Sequence, residues 1–292
     1  MKYVSFVANG LPSFGLVGDG GIVDLQARTK QPTLRAWLAA GGLADVRDHA
    51  SAAIDFRWDD VRLLPVIPDP EHIACVGTNY RSHIAEVAEA GVQRTVPTKP
   101  SIFLRAAQTL AAHGQPLLLP HVSTCLDYEG ELAVIIGTPG RYIAERDALS
   151  HVAGYACFND ASVRDWQFHT NNITPGKNFP QTGALGPWMT SAGEIPDPHH
   201  LAIVTRLNGQ TVQEGNTTDM IFTVPAIIAY VSSFLALRPG DIIATGTPAG
   251  VGFSRNPPIF LAPGDVCEVA IDTMGTLVNP IETEAYGSGV SH

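Results

Sequence analysis

The sequence predicts an α+β fold in which strands outnumber helices. Short apolar and β-branched runs, separated by glycine, proline and asparagine turns, recur from Ile73 onward and are typical of strands. Only a few stretches have the spacing of an amphipathic helix, and strands and helices do not alternate regularly, which disfavours a doubly wound parallel sheet. A chain of 292 residues is long enough to bury one large core, or a core and a small accessory domain.

The N-terminal segment is predicted to form a small β-meander followed by two short helices. The turn pairs Asn9-Gly10 and Gly20-Gly21 separate the apolar runs KYVSFVA, FGLVGD and IVDL. A helix is expected in TLRAWLAAGG with Thr33 as its N-cap, and a weakly amphipathic one in ADVRDHASAA. Because prolines then cluster in LLPVIPDPEH, we predict a small domain of residues 1–66 and a second domain of residues 67–292.

Local signals predict a hairpin and two helices in the rest of the chain. Asn208-Gly209 in TRLNGQTVQ suits the positive φ angles of a type I′ turn, so a hairpin is expected there. The stretch NYRSHIAEVAEAG has the pattern of a helix that ends at Gly91. Another helix is predicted in TVPAIIAYVSSFLA, with Thr223 as its N-cap and Pro225 in its first turn.

The charge of the chain restricts its partners. The 18 basic and 28 acidic residues give a formal net charge of -10. A field of this sign repels phosphate backbones and anionic lipid headgroups, so neither nucleic acid nor a membrane is expected as a partner. A small anionic substrate would need a locally positive site, made either of converging basic side chains or of a bound metal cation.

Cysteine usage and the N-terminal residues bear on the cellular compartment. The four cysteines are scattered without a CxxC pair, which indicates reduced core thiols in a cytoplasmic protein. The start of the chain lacks the apolar stretch of a signal peptide, and no later run approaches the roughly 18 apolar residues of a membrane span. We therefore expect a soluble, unprocessed cytoplasmic protein.

The stretch TCLDYEGELAVIIG carries the clearest chemical signal. In a strand, a period of two places Asp127, Glu129 and Glu131 on one face, opposite an apolar face. The acidic face indicates either an edge strand exposed to water or a site for a hard cation, Mg²⁺ or Mn²⁺ with Ca²⁺ as an alternative. A second apolar strand, HVAGYACFN, ends at Asp160, and this third carboxylate favours the metal site. Three carboxylates leave about half of an octahedral shell open for water or substrate.

Other candidate residues lie on a helix and on two loops. His83 and Glu86 are spaced i, i+3 on the predicted helix, and such a pair is either a general base with its orienting carboxylate or an exposed helix pair. Lys177 in TPGKNFP is a candidate for stabilising negative charge on a substrate oxygen, or a solvated loop lysine. The loop ATGTPAGVG, with Thr245 and Thr247, forms either a carboxylate-binding turn or an ordinary tight turn.

Six blocks of the sequence, in order from about residue 72 to 282, resemble signature sequences of the fumarylacetoacetate hydrolase family. The resemblance is to its branch of acylpyruvases and hydroxymuconate isomerases. It implies a mixed β-roll preceded by a small N-terminal α+β domain, and a homodimer. The blocks are CVGTNYRSHIAEV, LDYEGELAVIIG, GYACFNDASVRDWQ, GKNFPQTGALGPW, LNGQTVQEGNTTDMIFTVPAIIAYVS and LRPGDIIATGTPAGVG.

The resemblance also implies roles for single residues. The family's metal ligands fall on Glu129, Glu131 and Asp160, in agreement with the strand argument, and its catalytic pair falls on His83 and Glu86. The segment HTNNIT lies where relatives vary, so the identity of the substrate stays open. The remaining assignments are contacts to the reacting oxygens for Lys177 and Gln167, and ligand binding for Arg164, Thr247 and Tyr80.

The activity expected from the resemblance is metal-dependent hydrolysis of a C–C bond in an acylpyruvate or a related small anionic 2-oxo acid. Water activated by His83 and Glu86 would attack the distal carbonyl, giving pyruvate and a carboxylic acid. The same enolate stabilisation also serves oxaloacetate decarboxylation and the isomerisation of keto and enol or hydroxymuconate-type acids. A further alternative is a metal-dependent binding protein without turnover.

Overall fold

A computed structural model describes residues 1–44, 46–49, 51–89, 91 and 96–285. The helices in these ranges are α1 (Leu25–Thr29), α2 (Leu34–Ala39), α3 (Arg81–Glu89), α4 (Arg164–Gln167), α5 (Thr174–Lys177) and α6 (Val224–Phe234). The strands are β1 (Lys2–Ala8), β2 (Leu11–Gly18), β3 (Gly21–Asp24), β4 (Phe56–Arg57), β5 (Arg62–Leu63), β6 (Ile73–Gly77), β7 (Ser101–Arg105), β8 (Leu110–Ala111), β9 (Leu117–Leu119), β10 (Leu126–Asp127), β11 (Gly130–Ile136), β12 (Val152–Asn159), β13 (Ser162–Val163), β14 (Gly183–Ser191), β15 (Ala202–Leu207), β16 (Gln210–Asn216), β17 (Ile242–Ala244), β18 (Val266–Ile271) and β19 (Gly275–Thr283).

One large mixed sheet organises the molecule. Its strand order is β4-β3-β2-β1-β14-β12-β11-β17-β6-β7, with β5 beside β1 and β8 beside β14. Every residue of β11 and β12 is buried, as expected for strands covered on both faces. Strands predominate and helices are few, so the predicted α+β, mostly β, fold class is confirmed.

A second sheet covers one face of the first. It has the order β16-β15-β18-β19-β9. Leu132 and Val134 of β11 pack with Val269 and Leu277 in the core between the two sheets. On the opposite face of β11, Ala133 joins a core with side chains of the N-terminal segment.

The N-terminal strands continue the large sheet. The predicted meander is present, since β1, β2 and β3 pair antiparallel in sequence order. Strand β1 also pairs with β14, where Lys2 lies opposite Thr190. Tyr3 and Trp37 share a buried cluster with Phe158 of β12. The division into residues 1–66 and 67–292 stays a prediction.

Most local signals lead to the elements expected from them. Thr33 caps α2 and Thr223 caps α6, each accepting a hydrogen bond from a backbone N–H of the first turn. Asn208 and Gly209 have φ angles of 53° and 78° and close the β15–β16 hairpin.

One predicted helix differs from the structure in type, and another is described up to the residue before position 90, which lies outside the described residues. The segment ADVRDHASAA, predicted as a helix, instead contains a 3₁₀ turn over Val46–His49, and its positions 45 and 50 lie outside the described residues. Helix α3 is described to Glu89, and Gly91 just beyond it has a φ of 88°. Within the described ranges, no helix is long and apolar enough to cross a membrane.

Candidate active site

A cavity of about 330 Å³ opens where α3, β7, β11, α4, α5 and the loop after β17 meet. Residues far apart in the sequence converge here because β11 pairs with both β12 and β17. Two of the ten predicted site residues, Glu86 and Tyr80, do not line the cavity. Glu86 contacts Nδ1 of His83, and Tyr80 lies in the hydrophobic core. The predicted residues that line the cavity are His83, Glu129, Glu131, Asp160, Arg164, Gln167, Lys177 and Thr247.

Glu129, Glu131 and Asp160 form a compact acidic group at the base of this cavity. Gly130 pairs with Asn159, and the N–H of Asp160 donates to the Glu129 carbonyl at 2.9 Å, so the end of β12 lies beside the start of β11. One oxygen from each carboxylate lies within 4.8 Å of the other two. The three residues are only 6%, 2% and 1% exposed, which excludes an acidic edge strand facing water.

Three buried basic side chains surround the acidic group. Lys177 donates to Glu129 Oε2 and Asp160 Oδ2, each at 2.7 Å, and to the Asp160 carbonyl at 2.8 Å. Arg164 lies 2.6 Å from Glu129 Oε1. Arg105 donates to the other oxygen of Asp160, Oδ1, at 2.5 Å. All three donors of Lys177 are therefore directed at protein oxygens, and its expected contact with substrate stays a prediction.

The basic side chains do not neutralise Glu131. Among the described residues no basic side chain forms an ion pair with it, and its Oε2 accepts a hydrogen bond from the Gly246 N–H at 2.8 Å. Burial and the neighbouring carboxylates of Asp160 and Glu129 raise the pKa of Glu131 well above its usual value. Burial also acts to raise the pKa of Glu129, but Lys177 and Arg164 outweigh it and lower that pKa.

This donor set suits a hard cation. All three candidate ligands are carboxylate oxygens, which Mg²⁺, Mn²⁺ and Ca²⁺ prefer. With Asp127, which also pairs with Arg164, the buried cluster has four carboxylates and three basic groups. Glu131 has no ion-pair partner among the described residues, and a divalent cation would compensate its charge when it is ionised.

His83 and Glu86 form the predicted pair on α3. The imidazole Nδ1 lies 3.1 Å from Glu86 Oε2, and His83 is 7% exposed while lining the cavity. The exposed helix pair considered as an alternative is therefore excluded. Burial acts to raise the pKa of Glu86, but hydrogen bonds from His83, Ser254 and the Gly250 N–H bring that pKa below its usual value. Glu86 is thus a carboxylate that can orient the imidazole.

The glycine-rich loop after β17 binds carboxylates of the protein itself. Gly246 donates its N–H to Glu131, and Gly250 donates its N–H to Glu86 at 2.8 Å. These glycines have φ angles of 99° and 108°, which favour glycine. These two N–H groups of the loop are thus engaged by carboxylates of α3 and β11, and the binding of a ligand carboxylate by this loop stays a prediction.

Asp127 connects this loop to Arg164. Its carboxylate accepts hydrogen bonds from the backbone N–H groups of Gly252 and Phe253, at 2.8 and 3.1 Å. The same carboxylate accepts from Arg164 Nε at 2.8 Å. Asp127 lies on the same strand face as the metal candidates in sequence, but in the structure it holds a loop and a guanidinium.

Two cavity residues have their polar groups oriented by neighbours. Arg164 donates to Gln167 Oε1 at 2.8 Å, and within the described part of the chain the Gln167 NH₂ group makes no hydrogen bond. Gln167 can therefore donate into the cavity. Thr247 donates to the Gly130 carbonyl and accepts from Gln213, so its hydroxyl is engaged within the wall.

Tyr80 does not line the cavity. It is fully buried, and its hydroxyl has no hydrogen-bond partner among the described residues. Burial, together with Glu131 and Asp219, raises the pKa of Tyr80 well above its usual value. The ligand-binding role expected for Tyr80 stays a prediction.

Sequence reasoning missed Arg105 and Ser254. Arg105 ends strand β7 and is buried, and a buried arginine is normally paired, but the sequence alone does not show its burial. Ser254 donates to Glu86 Oε1 at 2.6 Å, across 168 positions of the chain, and no local pattern announces such a contact.

The chain belongs to the fumarylacetoacetate hydrolase family, since the family described as fumarylacetoacetate (FAA) hydrolase, C-terminal, matches residues 72–282. Oxaloacetate tautomerase fahd2, mitochondrial, of Xenopus laevis is 40% identical over 296 residues, which cover 96% of this chain and 90% of that protein. Oxaloacetate tautomerase YisK of Bacillus subtilis is 41% identical over 229 residues, covering 77% of this chain and 75% of that protein.

Solved structures of the family share the fold. Fumarylacetoacetate hydrolase from Exiguobacterium antarcticum matches with a TM-score of 0.82 at 32% identity, over 97% of this chain and 100% of that one. Maleylpyruvate hydrolase from Sphingobium sp. SYK-6, solved in complex with manganese(II) ion and pyruvate, matches with a TM-score of 0.80 at 28% identity, over 98% and 100%.

Proposed function

We propose that this protein is a metal-dependent enzyme that interconverts the keto and enol forms of oxaloacetate or a closely related 2-oxo acid. The observation that carries the proposal is the cavity in which the acidic group meets a carboxylate-oriented histidine. Two relatives at about 40% identity named oxaloacetate tautomerases support this choice over the C–C hydrolysis expected from the sequence.

Glu129, Glu131 and Asp160 would hold Mg²⁺ or Mn²⁺, with Ca²⁺ as an alternative. Such a cation would supply positive charge that attracts an anionic 2-oxo acid and makes its C3–H more acidic. The manganese ion in the maleylpyruvate hydrolase structure supports this class of metal.

His83 is the base of the proposed reaction. The Glu86 carboxylate can only accept a hydrogen bond, so Nδ1 of His83 carries the proton and Nε2 is free to take a proton from C3. Removal of the C3 proton leaves an enolate, whose oxygen takes a proton from solvent water to give the enol. In the reverse direction the enol hydroxyl releases its proton to solvent, and the protonated Nε2 returns a proton to C3. The Gln167 NH₂ group donates to the 2-oxo oxygen as negative charge develops there, while Lys177 contributes positive charge to the cavity wall.

Product analysis tests the proposal. Purified protein is incubated with Mn²⁺ and the enol of oxaloacetate, and the loss of enol absorbance is followed together with pyruvate, carbon dioxide and total oxaloacetate. We expect faster conversion to keto oxaloacetate of unchanged mass, abolished by EDTA. Metal-dependent pyruvate with carbon dioxide would instead assign a decarboxylase.

Hydrolysis of an acylpyruvate is the second candidate. It is favoured by the His83–Glu86 pair, which is as well placed to activate water as to remove a C3 proton, and by the similarity to maleylpyruvate hydrolase. Acylpyruvates and fumarylpyruvate in the same experiment decide between the two. Equimolar pyruvate and carboxylic acid at a rate above that of enol conversion would assign the hydrolase.

The homodimer and the cytoplasmic location belong to the same proposal. The dimer follows from the family resemblance, and sedimentation equilibrium of the purified protein tests it. The location is supported by the four cysteines, which are all free of disulfides. Fractionation of the source cells, with this protein detected by antibody, tests the location.

A further inference from the structure

The Glu86 carboxylate uses its two oxygens for different partners. Oε2 faces the imidazole of His83 at 3.1 Å. Oε1 accepts two hydrogen bonds, one from the Gly250 N–H at 2.8 Å and one from the Ser254 hydroxyl at 2.6 Å. Two donors on one oxygen fix the rotation of the carboxylate, and the other oxygen is then directed at the histidine.

The Ser254 hydroxyl has one proton and two acceptors within reach. Glu86 Oε1 lies at 2.6 Å and the Val251 carbonyl at 2.9 Å. A charged acceptor at the shorter distance forms the stronger hydrogen bond, so the proton is directed at Glu86. The bond therefore joins the end of the loop to the side chain that orients the base.

The backbone around Ser254 is held independently of Glu86. Gly252 and Phe253 donate their N–H groups to Asp127, which in turn binds Arg164. A Cβ on Gly252 would lie 1.9 Å from the Ile259 carbonyl oxygen, so this part of the loop is closely packed against its neighbour. The Asp127 carboxylate therefore positions both the backbone next to Ser254 and the Arg164 guanidinium on the metal side of the cavity.

We propose that Ser254 is a positioning residue, whose hydroxyl fixes the Glu86 carboxylate and through it the orientation and tautomer of His83. The expected change in kcat rests on the proposed function, whereas the expected change in the His83 tautomer does not. Without the hydroxyl, Oε1 of Glu86 keeps one donor among the described residues, the Gly250 N–H, and the carboxylate turns more freely. The proton of the neutral His83 imidazole then lies on Nδ1 in some molecules and on Nε2 in others.

Two variants and a control test this role. Ser254→Ala removes the hydroxyl, and Ser254→Thr retains one at the same carbon. Ser233→Ala is the matched control, since the Ser233 hydroxyl donates to the Tyr230 carbonyl on the exposed side of α6. Each protein is measured by ¹⁵N NMR of its imidazoles without metal at mildly alkaline pH, by Mn²⁺ titration, and by enol-oxaloacetate kinetics. A His83→Gln spectrum assigns the His83 resonances.

In Ser254→Ala we expect kcat to fall about tenfold, while KM and the Mn²⁺ dissociation constant stay within about twofold of the wild-type values. The His83 nitrogens should move from the shifts of a single Nδ1–H tautomer towards averaged values. Ser254→Thr should restore both readouts, and Ser233→Ala should change neither.

Unchanged His83 resonances in Ser254→Ala would overturn the inference, whatever the kinetics show. A loss of Mn²⁺ affinity equal to the loss of kcat would overturn it too, since the residue would then support the fold rather than the base. If the wild-type protein itself converts no enol oxaloacetate, the proposed function fails, and the NMR comparison still decides the role of Ser254.

Discussion

At the scale of single residues, Glu131 differs from the other two candidate metal ligands. Glu129 and Asp160 each have a basic partner on both carboxylate oxygens, whereas the partner of Glu131 among the described residues is one backbone N–H. Ionisation of a buried carboxylate that has no positive charge beside it destabilises the ion-free protein. Glu131 is therefore the ligand candidate that most needs a cation, since no described basic side chain pairs with it.

Replacing Glu131 by glutamine should stabilise the ion-free protein and weaken metal binding. The raised pKa of Glu131 means that its ionisation costs stability, and the cost appears as pH rises above the usual glutamate pKa. We expect Glu131→Gln to raise the free energy of unfolding by about 1–3 kcal/mol at neutral pH, with no gain below about pH 4. Denaturant unfolding in EDTA measures the first effect, and the Mn²⁺-induced rise in Tm, which should disappear, measures the second.

If Glu131→Gln is less stable than the wild type in EDTA at neutral pH, the protein itself already stabilises Glu131 without a cation. The exposed glutamate of the Met1–Glu194 pair provides the control. Glu194→Gln should leave both the unfolding free energy and the Mn²⁺ response unchanged, because exposed ion pairs contribute little.

At the scale of elements, the loop after β17 holds both halves of the site. It donates backbone N–H groups to Glu131 on the metal side and to Glu86 on the base side. The sequence shows the glycines of this loop but not their partners, which lie 115 and 164 positions away. The hairpin at Asn208 and the cap at Thr223, by contrast, depend on neighbouring residues and were predictable.

Predicted and missed site residues differ in how far apart the interacting residues lie in the sequence. The acidic strand and the His83–Glu86 spacing are local patterns, so periodicity brings their members together. The ion pair of Arg105 with Asp160 spans 55 positions, and it forms only when β7 and the end of β12 are brought together by the sheet. Tertiary contacts of this kind leave no periodic trace in a single sequence.

Gly250→Ala should disturb the loop and the base together. Gly250 has a φ of 108°, and an added Cβ would lie 2.2 Å from the Val212 carbonyl oxygen. We expect a loss of about 2–4 kcal/mol in unfolding free energy and a marked loss of kcat, because the N–H held by Glu86 must move. Gly193→Ala is the control, since its Cβ would meet nothing within 4 Å and its φ lies outside the left-handed region. Equal stability of the two variants would contradict this description of the loop.

At the scale of the whole molecule, the N-terminal strands and the site share one sheet. Strand β1 pairs with β14, β14 pairs with β12, and β12 ends at Asp160. Tyr3, Phe14 and Trp37 lie in one buried cluster with Ala133 and side chains of the strands that carry the site. Removal of the N-terminal segment would expose that cluster and one edge of β14 to water.

A fragment of residues 67–292 should therefore not fold to the native state by itself. We expect it to bind a hydrophobic dye, to lose the near-ultraviolet circular dichroism of the full chain and to show no Mn²⁺-induced rise in Tm. The full chain, expressed and purified in the same way, is the control. A fragment that unfolds cooperatively and responds to Mn²⁺ would establish residues 1–66 as a separate domain.

In the proposed reaction the acidic group and His83 act together on the C3 proton of a 2-oxo acid. The most direct measurement is the rate of enol-oxaloacetate loss with Mn²⁺ for the wild type, His83→Gln and Glu131→Gln, with His200→Gln, whose side chain is 71% exposed, as control. We predict that the wild type and His200→Gln are equally active. His83→Gln should bind Mn²⁺ but lose at least about a hundredfold in kcat, and Glu131→Gln should lose both. Full activity of His83→Gln, or activity of the wild type in EDTA, would contradict the account.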